Sequence, residues 1–293
     1  VSGGSSGGRG RLFVVATPIG NLGDVTLRAL EVLRDVPLIA AEDTRLTRRL
    51  LDRHGVATRT ISYHARSGPG RAMELLDHLR ADEDLALVTD AGTPGVSDPG
   101  AELVAAWAAE GGVVVPIPGS SAVLAAVVAS GIAGPRWSFE GFLPRSGRER
   151  RDRIARLAAD ERGTVIYEAP GRVAATLRDL AAACGADRSA AICRELTKLH
   201  EEILRAPLGE LARRAAEGEL SLRGEFAIVV GAQPGGRPAT AASEAAAGDA
   251  LDAARVEVEV LVASGTSRGD AARLVAAATG IPRRRLYGAP EDR

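Results

Sequence analysis

Aromatic side chains are scarce: two Trp, three Tyr and four Phe make up 3% of the 293 residues. The cores must therefore be built from Val, Leu, Ile and Ala, which suits stacked layers of helix and sheet. Cysteine occurs twice, at Cys184 and Cys193, without metal-ligand spacing. The pair reads as reduced, buried thiols of a cytosolic protein, not as a disulfide framework or a zinc site. No apolar run reaches membrane-spanning length without Gly, Pro or charge, and no secretory signal is visible. Of 37 basic residues one, Lys198, is lysine. With a net charge of −1, no global field draws in nucleic acid, so any such binding has to come from local patches. No GxGxxG follows a strand-like run, and Walker, GxSxG and metal-cluster patterns are absent. Hydride transfer, ATP hydrolysis and metal-assisted hydrolysis are therefore disfavoured.

What is present is an alternation of strand-like and helix-like runs in a chain that is 45% hydrophobic and 26% charged. Strands are expected at 11–17, 37–41, 58–62, 85–89 and 113–117, with helices near 24–34, 44–54, 71–80, 98–110 and 120–130. The first helix carries Leu27, Leu30 and Leu33 at helical spacing, with Asp24 as its expected N-cap. A Gly134-Pro135 break opens a second half with strands at 137–143, 164–168, 190–194, 202–207 and 225–231, and helices near 148–159, 172–183 and 208–216. Most strands are apolar along their length, which predicts a mostly parallel sheet covered on both faces. The expected division is a tag-like disordered segment at 1–10, α/β domains at 11–133 and 134–233, a linker at 234–242, and a helical domain at 243–293. A break at Gly280-Ile281-Pro282 gives the last part a helix-turn-helix look.

Ligands of open parallel sheets bind beyond the carboxyl ends of the strands. Here those ends carry TPIGNLGD (17–24), EDTR (42–45), His64, DAGTPGVSDPG (90–100) and PGSSA (118–122). Each has a plain structural reading: Asp98-Pro99 is a good helix cap, Gly92 and Gly95 allow a tight turn, and Glu42 and Asp43 suit a helix start. Five such loops at one edge of one sheet point instead to a small-molecule cleft. Periodicity alone does not name the molecule.

The strings TPIGNLGD, EDTR, TDAGTPGVSDPG, PGSSA, EGFLP, YEAPGR, ELTKLHEE and RGEFAIVV, in this order and spacing, resemble the ribosomal RNA small subunit methyltransferase I family of the tetrapyrrole methylase superfamily. The resemblance runs from about Leu12 to Gly231 and extends to the helical tail. It implies S-adenosylmethionine as methyl donor, a homodimer in the cytoplasm, and 2′-O-methylation of a cytidine ribose in the decoding region of 16S rRNA. Cofactor contacts are implied for Pro18, for Asp90, Ala91, Gly92, Thr93 and Pro94, and for Ser120, Ser121 and Ala122. Glu140, Gly141 and Phe142 should add to these near a hinge, and Leu196, Thr197, Gly224 and Glu225 should close over the adenosine. No metal is implied. Related tetrapyrrole enzymes carry a glycine-rich first loop where this chain has TPIGNLGD. Two departures stand out: Gly171 follows the proline of YEAP where the family usually has histidine, and PGSSA replaces PGPSA.

A ribose hydroxyl is a poor nucleophile at neutral pH, so a base or cation beside it is expected. Glu42, Asp43, His64 and Lys198 are the catalytic candidates, with Arg45, Glu168 and Glu201 nearby in the same loops. Lys198 is the lone lysine, and an arginine in its place would not act as a neutral base; a salt-bridged or phosphate-binding lysine is the alternative. Arg45, Arg145, Arg148, Arg150, Arg151, Arg283 and Arg284 are expected to contact RNA phosphates. The competing readings are a small-molecule (tetrapyrrole or corrinoid) methyltransferase and a non-catalytic RNA-binding assembly factor.

Overall fold

A computed structural model of the chain describes residues 9–232, 241–279 and 281–286, with the backbone alone for 241–250. Residues 1–8 of the tag-like segment, 234–240 of the expected linker, and Gly280 lie outside the described residues. The chain divides into two compact units, Val1–Gly236 and Arg237–Arg293.

The first unit begins with five parallel strands in the order β3-β2-β4-β1-β5: β1 (Arg11–Val15), β2 (Leu38–Ala41), β3 (Thr60–Ser62), β4 (Leu85–Val88) and β5 (Val113–Ile117). Each apolar run ends at turn residues, and both faces are covered, so alternation is absent. On one face α1 (Leu27–Asp35) and α2 (Thr44–Arg53) bury Leu33 and Leu51 against Val15, Ile39 and Val88. On the other, α3 (Pro69–Arg80) and α4 (Ala101–Ala109) bury Leu75, Leu79, Leu103 and Trp107 against Leu12, Leu85 and Leu87. Full burial of each such leucine contributes about 1.5–3 kcal/mol.

Two helix starts differ from expectation. The α1 cap is Thr26, whose hydroxyl accepts the Ala29 N–H at 3.1 Å, while Asp24 ends a short 3-10 turn capped by Asn21. Leu30 and Leu33 are buried but Leu27 is 80% exposed; three-residue steps fall 60° short of a turn, so the run drifts off the buried face. Nor does Asp98 cap α4. That helix starts after Gly100, whose φ of 119° breaks the path between Pro99 and Ala101, and no side chain caps it. A Cβ on Gly100 would sit 2.7 Å from Leu87 Cδ2, so the glycine also permits the loop's close approach to β4.

The second sheet corrects the parallel expectation. Its order is β6-β7-β10-β8-β9, with β6 (Trp137–Phe142), β7 (Gly163–Glu168), β8 (Ser189–Arg194), β9 (Glu202–Pro207) and β10 (Phe226–Val230). Only β6 and β7 are parallel; β10 runs antiparallel to β7 and β8, and β9 antiparallel to β8. Its central strands β7, β10 and β8 are mostly apolar because both faces are buried here too, whereas the edge strands β6 and β9 are only partly buried and carry Ser138, Glu140, Glu202 and Arg205. One face carries α6 (Gly147–Ala159), α7 (Val173–Cys184) and α8 (Leu208–Ala216). The other carries α5 (Ala122–Ser130), whose Val123 and Ala126 pack on Val165, Ala191, Cys193 and Val229. The last helix before the expected 133/134 division thus lies on the second sheet. Cys193 is buried as expected, whereas Cys184, at the end of α7, is only partly so.

Among its described residues the second unit has α9 (Ala241–Ala263), α10 (Arg268–Thr279) and a 3-10 turn at Arg283–Leu286, packed around Val258, Ala272, Val275 and Leu286. Ser267 starts α10 by exchanging hydrogen bonds with Asp270, and α9 occupies 241 and 242, which had been expected in the linker.

Candidate functional site

In the first sheet the chain leaves β1 toward β2 but leaves β4 toward β5, and β1 and β4 are neighbours. Their following loops diverge, which opens a crevice at the switch point. The crevice is pinned at its base: Thr17 N–H donates to the Gly92 carbonyl at 2.8 Å, and Gly92 N–H to the Thr17 carbonyl at 3.0 Å. Thr17 Oγ1 also donates to the Thr89 carbonyl at 3.0 Å. Beyond the pin, the loop after β4 needs left-handed backbone at Gly92, Gly95 and, unusually, Ser97 (φ 65°).

The second sheet supplies the facing wall. Glu168 at the end of β7 and Arg194 at the end of β8 both pair with Phe226 at the start of β10, so three connections converge at one edge. Between the walls lies a cavity of about 340 Å³, within the range of small-molecule sites. A bulge in β6 brings Gly141 (φ 60°) so close to Ser97 that a Cβ would stand 2.8 Å from its hydroxyl, and turns Phe142 into the cavity. Tyr167 lies beside Phe142 and Phe139, at ring-centroid distances of 5.6 and 4.9 Å.

Of the residues implied as cofactor contacts, Ala91, Gly92, Thr93, Ser121, Ala122, Phe142, Leu196, Gly224 and Glu225 line this cavity. The other seven do not. Pro18 and Pro94 are buried behind it. Asp90 turns away to accept the Asp43 N–H at 2.9 Å. Ser120 Oγ reaches the Asp24 carbonyl, Glu140 pairs with Arg153 at 2.7 Å, and Gly141 sits in the bulge. Thr197 holds a strained left-handed backbone (φ 67°), with its N–H on Glu201 at 2.7 Å and its hydroxyl buried and unpartnered. Sequence reasoning missed Ile19, Asp98, Tyr167, Cys193 and Phe226 as lining residues. Tyr167 stood in the YEAPGR string, and Asp98 was hidden by its reading as a cap.

The charged side chains lining the cavity are all carboxylates: Asp98, Glu168 and Glu225. Glu168 is fully buried and engaged by the Thr176 hydroxyl (2.6 Å), the Ala169 N–H (2.9 Å) and Arg172 (3.2 Å). Glu225 accepts from Lys198 at 2.9 Å. Asp98 has no hydrogen bond or ion pair among the described residues; burial, then the charges of Glu42 and Asp90, push its pKa up to about 6. Burial also holds the Tyr167 hydroxyl at about 12 and the Cys193 thiol at about 11, so both stay protonated.

The four catalytic candidates do not converge. Asp43 caps α2 and pairs with Arg45 at 2.7 Å, which holds its carboxyl well below the usual range. Glu42 accepts the Asp90 N–H at 3.3 Å and is pushed upward by burial, but does not line the cavity. His64 is exposed, with Nδ1 accepting the Arg66 N–H at 3.1 Å. Lys198 donates to Glu195 at 2.8 Å and to Glu225 at 2.9 Å. Burial works against its charge, but these bonds outweigh it and its pKa is raised. Lys198 thus stands as an ion-paired cation, the arrangement expected of the salt-bridged alternative.

Among the arginines expected to meet RNA, Arg150 is turned inward. Its guanidinium is buried, bonded to Asp179, Thr176 and the Pro144 carbonyl. Arg145 and Arg151 are exposed, as is Arg148, 3.4 Å from Asp152. Arg45 is exposed but bound to Asp43, and Arg283 and Arg284 are exposed in the second unit. No cluster of metal-ligating side chains occurs among the described residues.

Comparison with known proteins matches residues 11–212 to the tetrapyrrole (corrin/porphyrin) methylases. Ribosomal RNA small subunit methyltransferase I of Synechocystis sp. is 46% identical over 279 residues, covering 95% of this chain and 96% of the relative. The Xylella fastidiosa protein of the same name is 42% identical over 283 residues, covering 95% and 98%. Among solved structures, uroporphyrin-III C-methyl transferase from Thermus thermophilus complexed with S-adenyl homocysteine superposes with a TM-score of 0.55 at 21% identity, over 76% of this chain and 97% of that one. At that identity the likeness is one of fold.

Proposed function

Because the chain belongs to the ribosomal RNA small subunit methyltransferase I family, within the tetrapyrrole methylases, we propose that it transfers a methyl group from S-adenosylmethionine to the 2′-oxygen of a cytidine ribose in 16S rRNA. The observation that carries this reading is the cavity at the β1/β4 switch point, apolar in its walls and lined by carboxylates with no cationic side chain among the described residues. That chemistry fits an adenosine with a positively charged sulfur: the Ala91 backbone and the apolar faces of Ile19, Leu196 and Phe226 would hold the nucleoside, and the carboxylates would favour the cation. Bound there, S-adenosylmethionine supplies a methyl carbon made electrophilic by that sulfur.

The protein's part is chiefly alignment and exclusion of water. Phe142 and Tyr167 form an apolar wall, and the pinned loops of β1 and β4 fix the floor. Asp98 would accept the proton of the ribose 2′-hydroxyl. Its freedom from other partners leaves it available, and its pKa near 6 keeps it ionised at neutral pH while strengthening it as an acceptor. Lys198 positions Glu225 and holds the loop after β8 over Gly20, where a Cβ would collide with the lysine stem.

The working form is a pair of chains in the cytoplasm, where ribosomal particles are. Exposed Leu124 and Val128, 54% and 80% accessible one turn apart on α5, support a partner surface, and sedimentation equilibrium tests it. No helix among the described residues is long and apolar enough to cross a membrane. The deciding experiment is methyl transfer from labelled S-adenosylmethionine to small-subunit particles, with the product nucleoside mapped. Label in 2′-O-methylcytidine is expected; label on a base, or in a tetrapyrrole and not in RNA, overturns the reading.

A further inference from the structure

A second depression, of about 660 Å³, lies between α6 and α7, and its polarity is the reverse of the first. Five arginines line it, Arg145, Arg150, Arg151, Arg172 and Arg178, against one carboxylate, Asp179. Two of the five are structural. Arg150 is held by Asp179 at 2.9 Å and by Thr176, and Arg172 by Glu168 and the Leu143 and Pro144 carbonyls. Asp179 is thus already engaged by a buried guanidinium. Arg145 and Arg151 make no ion pair or hydrogen bond among the described residues, and Arg178, 74% exposed, meets only its neighbour Asp179 at 3.2 Å. Three free or nearly free guanidiniums around an open groove repel one another unless an anion sits between them. Ser146 and Gly147 also line the groove, and the Ser146 side chain leaves the first N–H groups of α6 uncapped.

The groove and the cavity share a wall. Ala169 and Pro170 line the cavity, and the next residue, Gly171, lines the groove. Glu168 faces the cavity, while its bonding partners Thr176 and Arg172 face the groove. At Gly171 an added Cβ would meet nothing within 4 Å, so the crest between the two is low and open.

We infer that the groove between α6 and α7 seats a phosphodiester of the RNA strand whose neighbouring ribose enters the cavity, with Arg145, Arg151 and Arg178 as its phosphate contacts. This rests on RNA being the methyl acceptor. The groove sets which strand position reaches the reacting centre; the cavity holds the cofactor and admits the ribose.

The test uses the full chain carrying Arg145→Glu, Arg151→Glu and Arg178→Glu together, with R145K/R151K/R178K as the charge-keeping control. Binding of a single-stranded cytidine-containing RNA oligonucleotide is followed across salt concentrations, and S-adenosylmethionine affinity is measured by calorimetry on the same samples. Charge reversal should weaken RNA binding more than about tenfold. It should also flatten the log–log salt slope by about 0.7, the share of one neutralised single-strand phosphate. The lysine variant should stay within about threefold of the parent, and S-adenosylmethionine affinity, which reports a folded first unit, should not move. Unchanged RNA affinity and slope in the reversed variant overturns the inference. So does loss of inorganic phosphate binding with RNA binding intact, which would make the groove a free-anion site. Groove-dependent RNA binding without ribose methylation would instead sink the proposed activity and leave the groove standing.

Discussion

Thr17 and Gly92 exchange both backbone hydrogen bonds across the gap where the chain diverges from β1 and β4. This contact holds the cavity floor, and Gly92 makes it with φ at 79°. A Cβ there would touch Ile19 Cγ2 at 3.5 Å, an ordinary distance, so alanine is penalised by its backbone and not by a clash. Gly92→Ala should lose about 1 kcal/mol of stability. Its methyl group, on a cavity-lining residue, should weaken S-adenosylmethionine binding about tenfold, or about 1.4 kcal/mol. Urea unfolding and calorimetry measure the two effects; full cofactor affinity in a strained but folded variant would show that the loop does not touch the cofactor.

Asp98 sets a pH dependence with a definite sign. Its carboxyl titrates near 6 in the fold, against 3.8 for the free group. Between those values the native chain holds more of this proton than the unfolded chain does. Its contribution to stability therefore falls as pH rises through the window and stays lower above it. Asp98→Asn should accordingly be more stable than the parent at pH 7 and no different at pH 3.5. The gain should be about 1 kcal/mol, well under the full shift, because the carboxyl is only half-buried and solvent screens it. Turnover should fall about 100-fold or more at saturating S-adenosylmethionine with little change in its affinity, and the parent's activity should decline below pH 6. A variant that loses cofactor affinity while keeping turnover would make Asp98 a cofactor ligand and not a proton acceptor.

Lys198 bridges Glu195 and Glu225, and Glu195 also accepts the Glu225 N–H at 2.9 Å. The lysine is needed as a cation, so Lys198→Arg should retain turnover within about threefold, its charge being preserved. Lys198→Met leaves two carboxylates facing each other and loosens Glu225 at the cavity. It should raise the KM for S-adenosylmethionine more than it lowers kcat. Steady-state kinetics separate the two, and a collapse of kcat in the arginine variant alone would restore the neutral-base role.

The positions of all ten strands were legible, and in all but Thr60–Ser62, which runs on into Tyr63, the run ends at Gly, Pro or a charged residue. Strand direction in the second sheet was not. A strand buried on both faces reads as continuous apolar sequence whether it runs parallel or antiparallel, and Val165, Ala191 and Val229 are covered by a helix that belongs to the preceding half. In the site, Ala91 to Thr93 and Ser121 were marked by their place beyond strand ends. Asp98 was misread because an Asp-Pro pair caps a helix only if the chain continues helically, and the turn at Gly100 forbids that. Arg150 carried a usable signal that its basic neighbourhood masked: Ile154 and Leu157 follow at four and seven residues, and all three are buried on one face of α6.

That placement makes Arg150 a test of structure against recognition. Its side chain is 9% exposed and ties α6 to Asp179 and Thr176 of α7, whereas that of Arg148, 88% exposed, meets Asp152 only at 3.4 Å. Arg150→Met keeps the apolar stem but strips a buried hydroxyl and a half-buried carboxylate of their partner. Losses of 3–5 kcal/mol are usual when a fully buried pair is broken; Asp179 is 32% exposed and keeps Arg178, so about 2 kcal/mol is expected here. Arg148→Met should cost less than about 0.5 kcal/mol, as exposed pairs one helical turn apart do. Chemical unfolding of both variants gives these differences directly. If Arg150→Met unfolded like the parent yet lost RNA affinity, the buried network would be idle and the arginine would belong to the RNA interface.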